Sequence, residues 1–196
     1  MSHGLLRDAR VYGVLFRIDE DETARAQGAG CACGGRLHRA DYRRKPRCGL
    51  DLEKGVPGFS IRHSLCCDRD GCRRRATPAS VRFLGRRVYV GLVVVLIAAL
   101  AEGATPARVR RLRQLVGDVS RRTLDRWRRW WREAFPTTEL WRERRAHFAT
   151  PVATDRLPAS LLERAPGADD AARLTWLLRW LAPITTSGSH PPDRAS

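Results

Sequence analysis

Two tight groups of cysteines constrain this chain more than any other feature of its sequence. The first group is Cys31-Ala-Cys33, followed by two glycines, and the second holds Cys66, Cys67 and Cys72. The N-terminal sequence MSHGLLRDAR has neither the apolar stretch nor the cleavage site of a secretory signal. Because clustered cysteines in a reducing compartment are more often metal ligands than disulfides, we expect a cytoplasmic, nucleoid-associated protein with a metal site.

Zinc is the metal that these cysteines predict, since it prefers a tetrahedron of thiolates and two close pairs from two turns can close one site. The predicted ligands are Cys31, Cys33, Cys67 and Cys72. Cys66 is the alternative to Cys67. Adjacent residues of a strand point to opposite faces, so only one of the two can reach the metal.

Three further residues with metal-binding chemistry lie near these groups. Cys48 lies in a basic loop and its role stays open. His38 and His63 are interpreted as surface residues of basic strands and are left out of the ligand set. The alternative to a metal site is a set of free, buried cysteines.

The charge of the chain indicates a polyanionic partner. The formal net charge is +16, and Lys45 and Lys54 are the only lysines. A GC-rich genome explains the choice of arginine over lysine, but it does not explain the excess of bases over acids. Neutralising phosphates releases condensed counterions, which makes nucleic acid the expected partner.

The segment from Thr105 to Trp131 is typical of a helix-turn-helix. A helix is predicted over Pro106–Val116, Gly117 ends it, and Ser120 caps the next helix. Placed every 100° around that next helix, its apolar side chains form one stripe, Leu124, Trp127 and Trp131. The charged side chains beside and opposite the stripe are the predicted DNA contacts: Arg121, Arg122, Asp125, Arg126 and Arg129.

A second basic cluster joins the cysteine region to this helical region. Its members are Arg73, Arg74, Arg75, Arg82, Arg86 and Arg87. A connector that crosses the phosphate backbone has this composition. We therefore add Arg73, Arg74 and Arg75 to the predicted DNA contacts.

The predicted fold is α+β and mainly α, a small zinc-ribbon β module followed by a helix-turn-helix domain and C-terminal helices. The apolar segment Val88–Ala101 is shorter than the ~20 residues that span a bilayer, so we expect a buried core helix and no membrane contact. The expected divisions are 1–30 as an N-terminal arm or strand, 31–80 as the ribbon-like module, 81–148 as the DNA-binding domain, 149–184 as C-terminal helices, and 185–196 as a disordered tail.

Three segments together resemble the zinc-ribbon and helix-turn-helix part of bacterial insertion-sequence proteins. They are CACGGRLHRADYRRKPR, HSLCCDRDGCRRRATPASVRFLGRRVY and VSRRTLDRWRRWW. The resemblance implies binding to the ends of mobile elements, on double-stranded DNA, as an accessory to a separately encoded transposase or integrase. A homo-oligomer through the C-terminal helices is a further expectation.

No catalytic residues are predicted. A two-metal transposase needs carboxylates arranged on a mixed α/β domain, and the segment after the third helix is short, helical and basic. Two other functions stay open at this point. The chain could regulate transcription with the same DNA contacts, or it could be an RNA-binding ribbon protein.

Overall fold

The computed structural model describes residues 8–44, 52–84 and 121–186, together with Leu5, Val95 and Arg110. Over these residues the protein is α+β and mainly helical, which confirms the predicted fold class. A long N-terminal helix comes first, two small antiparallel sheets follow it, and the C-terminal half is helical.

The N-terminal segment is a helix, α1 (Ala9–Ala29), and not the arm or strand that the sequence analysis predicts. Asp8 caps its first turn, because the carboxylate accepts a hydrogen bond from the backbone N–H of Arg10 at 2.9 Å. The chain leaves α1 at Gly30, whose φ of 72° suits glycine. The buried residues of α1 recur at the spacing of one helix face: Val11, Tyr12, Leu15, Ile18, Asp19 and Thr23.

Two small sheets follow α1. The three-stranded sheet contains β1 (Leu37–Arg39), β4 (Leu65–Cys67) and β5 (Arg75–Ala76), with β4 in the centre. The two-stranded sheet pairs β2 (Tyr42–Arg43) with β3 (Ile61–Arg62), and a one-turn helix α2 (Leu52–Gly55) lies between them in sequence. We call residues 31–39 and 65–76 the ribbon.

The C-terminal half is a series of short helices. The principal helices are α3 (Arg121–Arg129), α4 (Glu139–Arg144), α5 (Ala159–Arg164) and α6 (Asp170–Leu181). A π-helical turn at Trp130–Ala134 extends α3, and 3-10 turns lie at Phe135–Thr137, Arg145–His147, Thr154–Arg156 and Ala182–Thr185. Helices α5 and α6 lie in the segment 149–184, and four leucines of α6 are buried: Leu174, Leu177, Leu178 and Leu181.

Aromatic side chains form the centre of the main hydrophobic core. Phe135 is fully buried, and its ring centroid lies 5.4 Å from Trp130, 4.8 Å from Trp131 and 5.6 Å from Trp141. Leu15 and Ile18 of α1 belong to the same core. Helix α1 therefore reaches from the helical half of the protein to the first cysteine pair.

Arg82 is a core residue and not part of a DNA-contacting connector, which corrects the sequence interpretation. Its side chain is fully buried, and Nε donates to Asp19 Oδ2 at 2.8 Å. Nη1 and Nη2 donate to the carbonyl oxygens of Phe59 and Ile61 at 2.8 and 2.9 Å. The buried charge is tolerated because Asp19 pairs with it and these carbonyls accept its other N–H groups.

Several sequence predictions lie outside the described residues. They are the core helix Val88–Ala101 (apart from Val95), the helix Pro106–Val116 (apart from Arg110), Cys48, Arg86 and Arg87, and residues 187–196 of the tail. Val95 itself is helical and fully buried in the main core. Among the described residues, no helix combines the length and the apolar character needed to cross a membrane.

Candidate metal centre and basic surfaces

Four cysteines from two distant segments meet in the ribbon. The Sγ atoms of Cys31 and Cys72 are 3.8 Å apart, and those of Cys33 and Cys67 are 3.5 Å apart. All four Sγ atoms lie within 4.8 Å of one another, close enough to hold one metal ion. The structure thus brings together the four residues that the sequence analysis names as ligands.

Two turns present these cysteines. Helix α1 ends at Ala29, Gly30 separates it from Cys31, and the Gly34 N–H then donates to the Cys31 carbonyl at 2.8 Å. The second turn follows β4, where the Cys72 N–H donates to the Arg69 carbonyl at 3.1 Å. Because each turn fixes its own cysteine pair, the two pairs converge when β1 and β4 pair.

The thiols of the cluster differ in acidity. The backbone N–H of Gly35 and the neighbouring sulfurs of Cys72, Cys67 and Cys31 lower the pKa of Cys33 to about 6. The Arg69 N–H favours the Cys67 thiolate, but burial and the neighbouring sulfurs outweigh it and raise the pKa of Cys67 to about 12. Adjacent thiolates repel each other, and a bound cation removes that conflict because coordinating thiols are deprotonated.

Cys67, and not Cys66, belongs to the cluster. Cys67 is buried and faces Cys33, whereas Cys66 lies on the opposite side of β4. The Cys66 Sγ contacts backbone carbonyls, that of Cys67 at 3.7 Å and that of Arg73 at 3.6 Å. Strand alternation alone requires one of the two to face away from the metal.

Gly35 is a residue of the site that sequence reasoning did not single out. A Cβ at this position would lie 2.6 Å from Cys67 Sγ and 3.0 Å from Arg69 Cβ. The backbone of the first turn therefore packs directly against a predicted metal ligand. Only the glycine pair after Cys33 in the sequence hints at this close approach.

We expect Gly35→Ala to weaken metal binding. The added methyl group must displace the Cys67 sulfur or the turn, and overpacking of this kind costs about 1–3 kcal/mol, or roughly 5- to 150-fold in affinity. Competition with a metallochromic chelator measures this change. Gly13→Ala is the matched control, because no atom lies within 4 Å of its Cβ position in α1. Equal metal affinity in the two variants would contradict the prediction.

The two histidines lie outside the cysteine cluster, and one of them is not a surface residue. His38 is exposed, with Nε2 3.2 Å from Asp68 Oδ2, as a surface histidine should be. His63 is buried, with Nδ1 3.2 Å from Asp41 Oδ2. Its Nε2 lies 2.9 Å from Glu20 Oε1, without hydrogen-bond geometry. His63 therefore links α1 to the ribbon region and is a structural residue.

Arg39 completes the polar contacts around His63. Its Nη2 donates to Glu20 Oε2 at 2.5 Å and lowers the pKa of Glu20. Its Nη1 lies 3.3 Å from Asp41 Oδ2. These contacts connect β1 to α1 next to the metal centre.

The predicted basic residues of the ribbon are exposed. Arg73, Arg74 and Arg75 all face solvent immediately after Cys72. Arg73 adopts a positive φ of 43° and pairs with Asp70 at 2.9 Å. The turn that supplies two of the sulfurs thus also presents three consecutive arginines.

Helix α3 is divided into the two faces that the sequence predicts. Leu124, Trp127 and Trp131 are buried in the main core. Of the predicted DNA contacts on α3, Arg122, Asp125 and Arg129 are exposed. Arg126 is half-buried, with Nη2 3.3 Å from Thr123 Oγ1. The side chain of Arg121 lies outside the described residues. Trp130, which begins the π-helical turn, is also buried, and its ring packs against Trp131 and Phe135.

Comparisons with family models, with curated proteins and with solved structures return no match for this chain. The metal centre and the arginine surfaces are therefore interpreted from their own geometry and chemistry.

Proposed function

We propose that this chain is a zinc-stabilised, non-catalytic protein that binds double-stranded DNA. The observation that carries the proposal is the position of Arg73–Arg75. These exposed arginines follow directly on a turn whose sulfurs belong to the four-cysteine cluster. A metal that fixes this turn also fixes the arginines in one orientation.

The donor set supports zinc as the metal. Four cysteine sulfurs gathered at one point match the closed, tetrahedral structural sites that zinc forms. Structural zinc sites leave no open coordination position for a substrate. A site of this kind stabilises a fold, which agrees with the proposed binding role.

The exposed face of α3 supports duplex DNA as the partner. Arg122 and Arg129 project to solvent while Trp127 and Trp131 anchor the helix in the core. An anchored helix with a basic outer face can enter the major groove without a change in the fold. Trp127 and Trp131 are buried, so this helix offers no tryptophan as a stacking platform for unpaired bases.

Recognition of mobile-element ends, beside a separately encoded transposase or integrase, is the biological role that the resemblance to insertion-sequence proteins favours. Regulation of transcription uses the same contacts, and the genes on either side of this one distinguish the two roles. A homo-oligomer through the C-terminal helices stays a prediction, and it would use side chains other than the four buried leucines of α6.

The proposal predicts that Arg122, Arg126 and Arg129 together determine duplex binding. We expect the triple alanine variant to lose affinity and sequence preference, since a base-reading arginine contributes about 1–3 kcal/mol. Fluorescence anisotropy with mobile-element-end and scrambled duplexes, over a salt series, measures both effects. Unchanged affinity and preference in a folded triple variant would show that α3 does not read DNA.

The matched control variant removes three positive charges from exposed arginines outside α3. Arg142, Arg145 and Arg164 are also exposed arginines of the C-terminal half. Their triple alanine variant has the same net charge as the α3 variant but keeps the α3 surface. We expect it to retain sequence preference, which separates specific contacts from a general loss of positive charge.

A further inference from the structure

The three-stranded sheet of the ribbon has two chemically different faces. Leu37, Leu65 and Cys67 point inward and form a small core next to the cysteine cluster. On the other face the strand register aligns one residue from each strand, so that Cys66 is opposite His38 on one side and Arg75 on the other. We call this row of His38, Cys66 and Arg75 the open face.

The surroundings of the open face are cationic. Arg36, two residues before His38, is exposed, and within the described part of the chain neither Arg36 nor Arg75 forms an ion pair. The acids nearby are already engaged. Asp68 accepts from the Arg36 N–H at 2.9 Å and lies 3.2 Å from His38, and Asp70 pairs with Arg73. The surface therefore carries a net positive charge that a polyanion complements.

The open face presents no large aromatic ring. The large rings of Phe, Tyr and Trp are the usual stacking platforms in proteins that bind single-stranded nucleic acid, and none of the three residues in this row is one of them. Arginines on a shallow sheet contact phosphates, which fix the position of a duplex without reading its sequence. This chemistry favours the backbone of a duplex over a single strand.

We infer that the open face of the ribbon contacts the phosphate backbone of duplex DNA, with Cys66 at the centre of the contact. The inference rests on the proposed function and adds a second, sequence-independent surface to α3. It also gives a role to Cys66, the one cysteine among the described residues that lies outside the four-cysteine cluster. Cys66 is half-exposed, so its thiol reports whether the face is covered.

Alkylation of Cys66 tests this inference. The zinc-loaded Cys48→Ser protein is treated with N-ethylmaleimide, with and without a random-sequence DNA duplex of about 20 base pairs, and the modified peptide is quantified by mass spectrometry. A covered thiol reacts only in the unbound fraction, so its rate should fall about 100-fold at a duplex concentration of about 100 Kd. An added Ala172→Cys reporter, exposed on α6, should react at an unchanged rate.

A charge reversal provides the second measurement. Arg75→Glu should weaken binding to all duplexes alike and reduce the salt dependence by about one unit of slope or more, whereas Arg164→Glu should not.

Duplex binding by anisotropy with an unchanged Cys66 rate would overturn the inference and leave the proposed function intact. Absence of duplex binding would overturn both. Protection by a structured RNA but not by DNA would overturn the assignment of the partner.

Discussion

Removal of the metal is expected to unfold the ribbon. Its own core holds only three buried residues, Leu37, Leu65 and Cys67. That core is too small to offset the conformational entropy of the turns, about 1–2 kcal/mol for each backbone residue. Structural zinc contributes about 10–16 kcal/mol of apparent binding free energy in comparable small modules. We therefore expect chelation, or Cys72→Ser, to abolish the ribbon while the aromatic core of the helical half stays folded.

The measurement combines metal content with local protection. Elemental analysis of protein purified without chelators should give about one zinc per chain. Hydrogen exchange should then show loss of protection in β1, β4 and β5 after chelation, with little change in α6. Cys66→Ser is the control, since Cys66 faces away from the cluster and its variant should keep the metal. A metal-free protein with an equally protected ribbon would refute the zinc site.

Asp19→Ala is expected to cause the second largest loss of stability. The substitution leaves the Arg82 guanidinium buried without a carboxylate, and breaking a buried pair in this way costs about 3–5 kcal/mol. It also removes the acceptor for the Val81 N–H, which donates to Asp19 Oδ1 at 2.7 Å. The free energy of unfolding in urea, measured on zinc-loaded protein, gives the size of the effect.

The control for this prediction is an arginine–carboxylate pair that is exposed to solvent. Arg156 and Glu163 lie 2.5 Å apart, but each side chain is about half exposed. Glu163→Ala should cost no more than about 1 kcal/mol, because exposed ion pairs contribute little. A double variant, Asp19→Leu with Arg82→Met, should recover part of the lost stability by removing both buried charges. Equal losses at Asp19 and Glu163 would mean that burial of the pair has no energetic role.

The cysteine cluster could be predicted from sequence because its chemistry depends on short spacings. Cys31 and Cys33 share one turn, and Cys67 and Cys72 share another, so local sequence brings each pair together. The amphipathic face of α3 could be predicted for the same reason, since helix periodicity places Leu124 and Trp127 together. Each cysteine pair and the helix face are local, whereas the meeting of the two pairs depends on the pairing of β1 with β4.

The long-range features could not be predicted. The apolar run Val11–Phe16 fits a strand as well as a helix, and Gly13 in its middle lowers the helix propensity. Arg82 lies in a basic stretch that looks solvated, and only its partner Asp19, far away in the sequence, explains its burial. His63 is buried for an equally distant reason, since Glu20 and Asp41 lie on either side of it.

The direct connection between α1 and the first cysteine makes helix length a part of the metal site. Asp19 faces the buried Arg82, and Cys31 follows the same helix after Gly30 alone. Each residue of an α-helix turns the chain by about 100° and advances it by about 1.5 Å. One residue inserted between Asp19 and Gly30 would point the first sulfur away from the other three, although every cysteine would still be present. The ligand set is therefore specified by the number of residues in α1 as well as by the cysteines themselves.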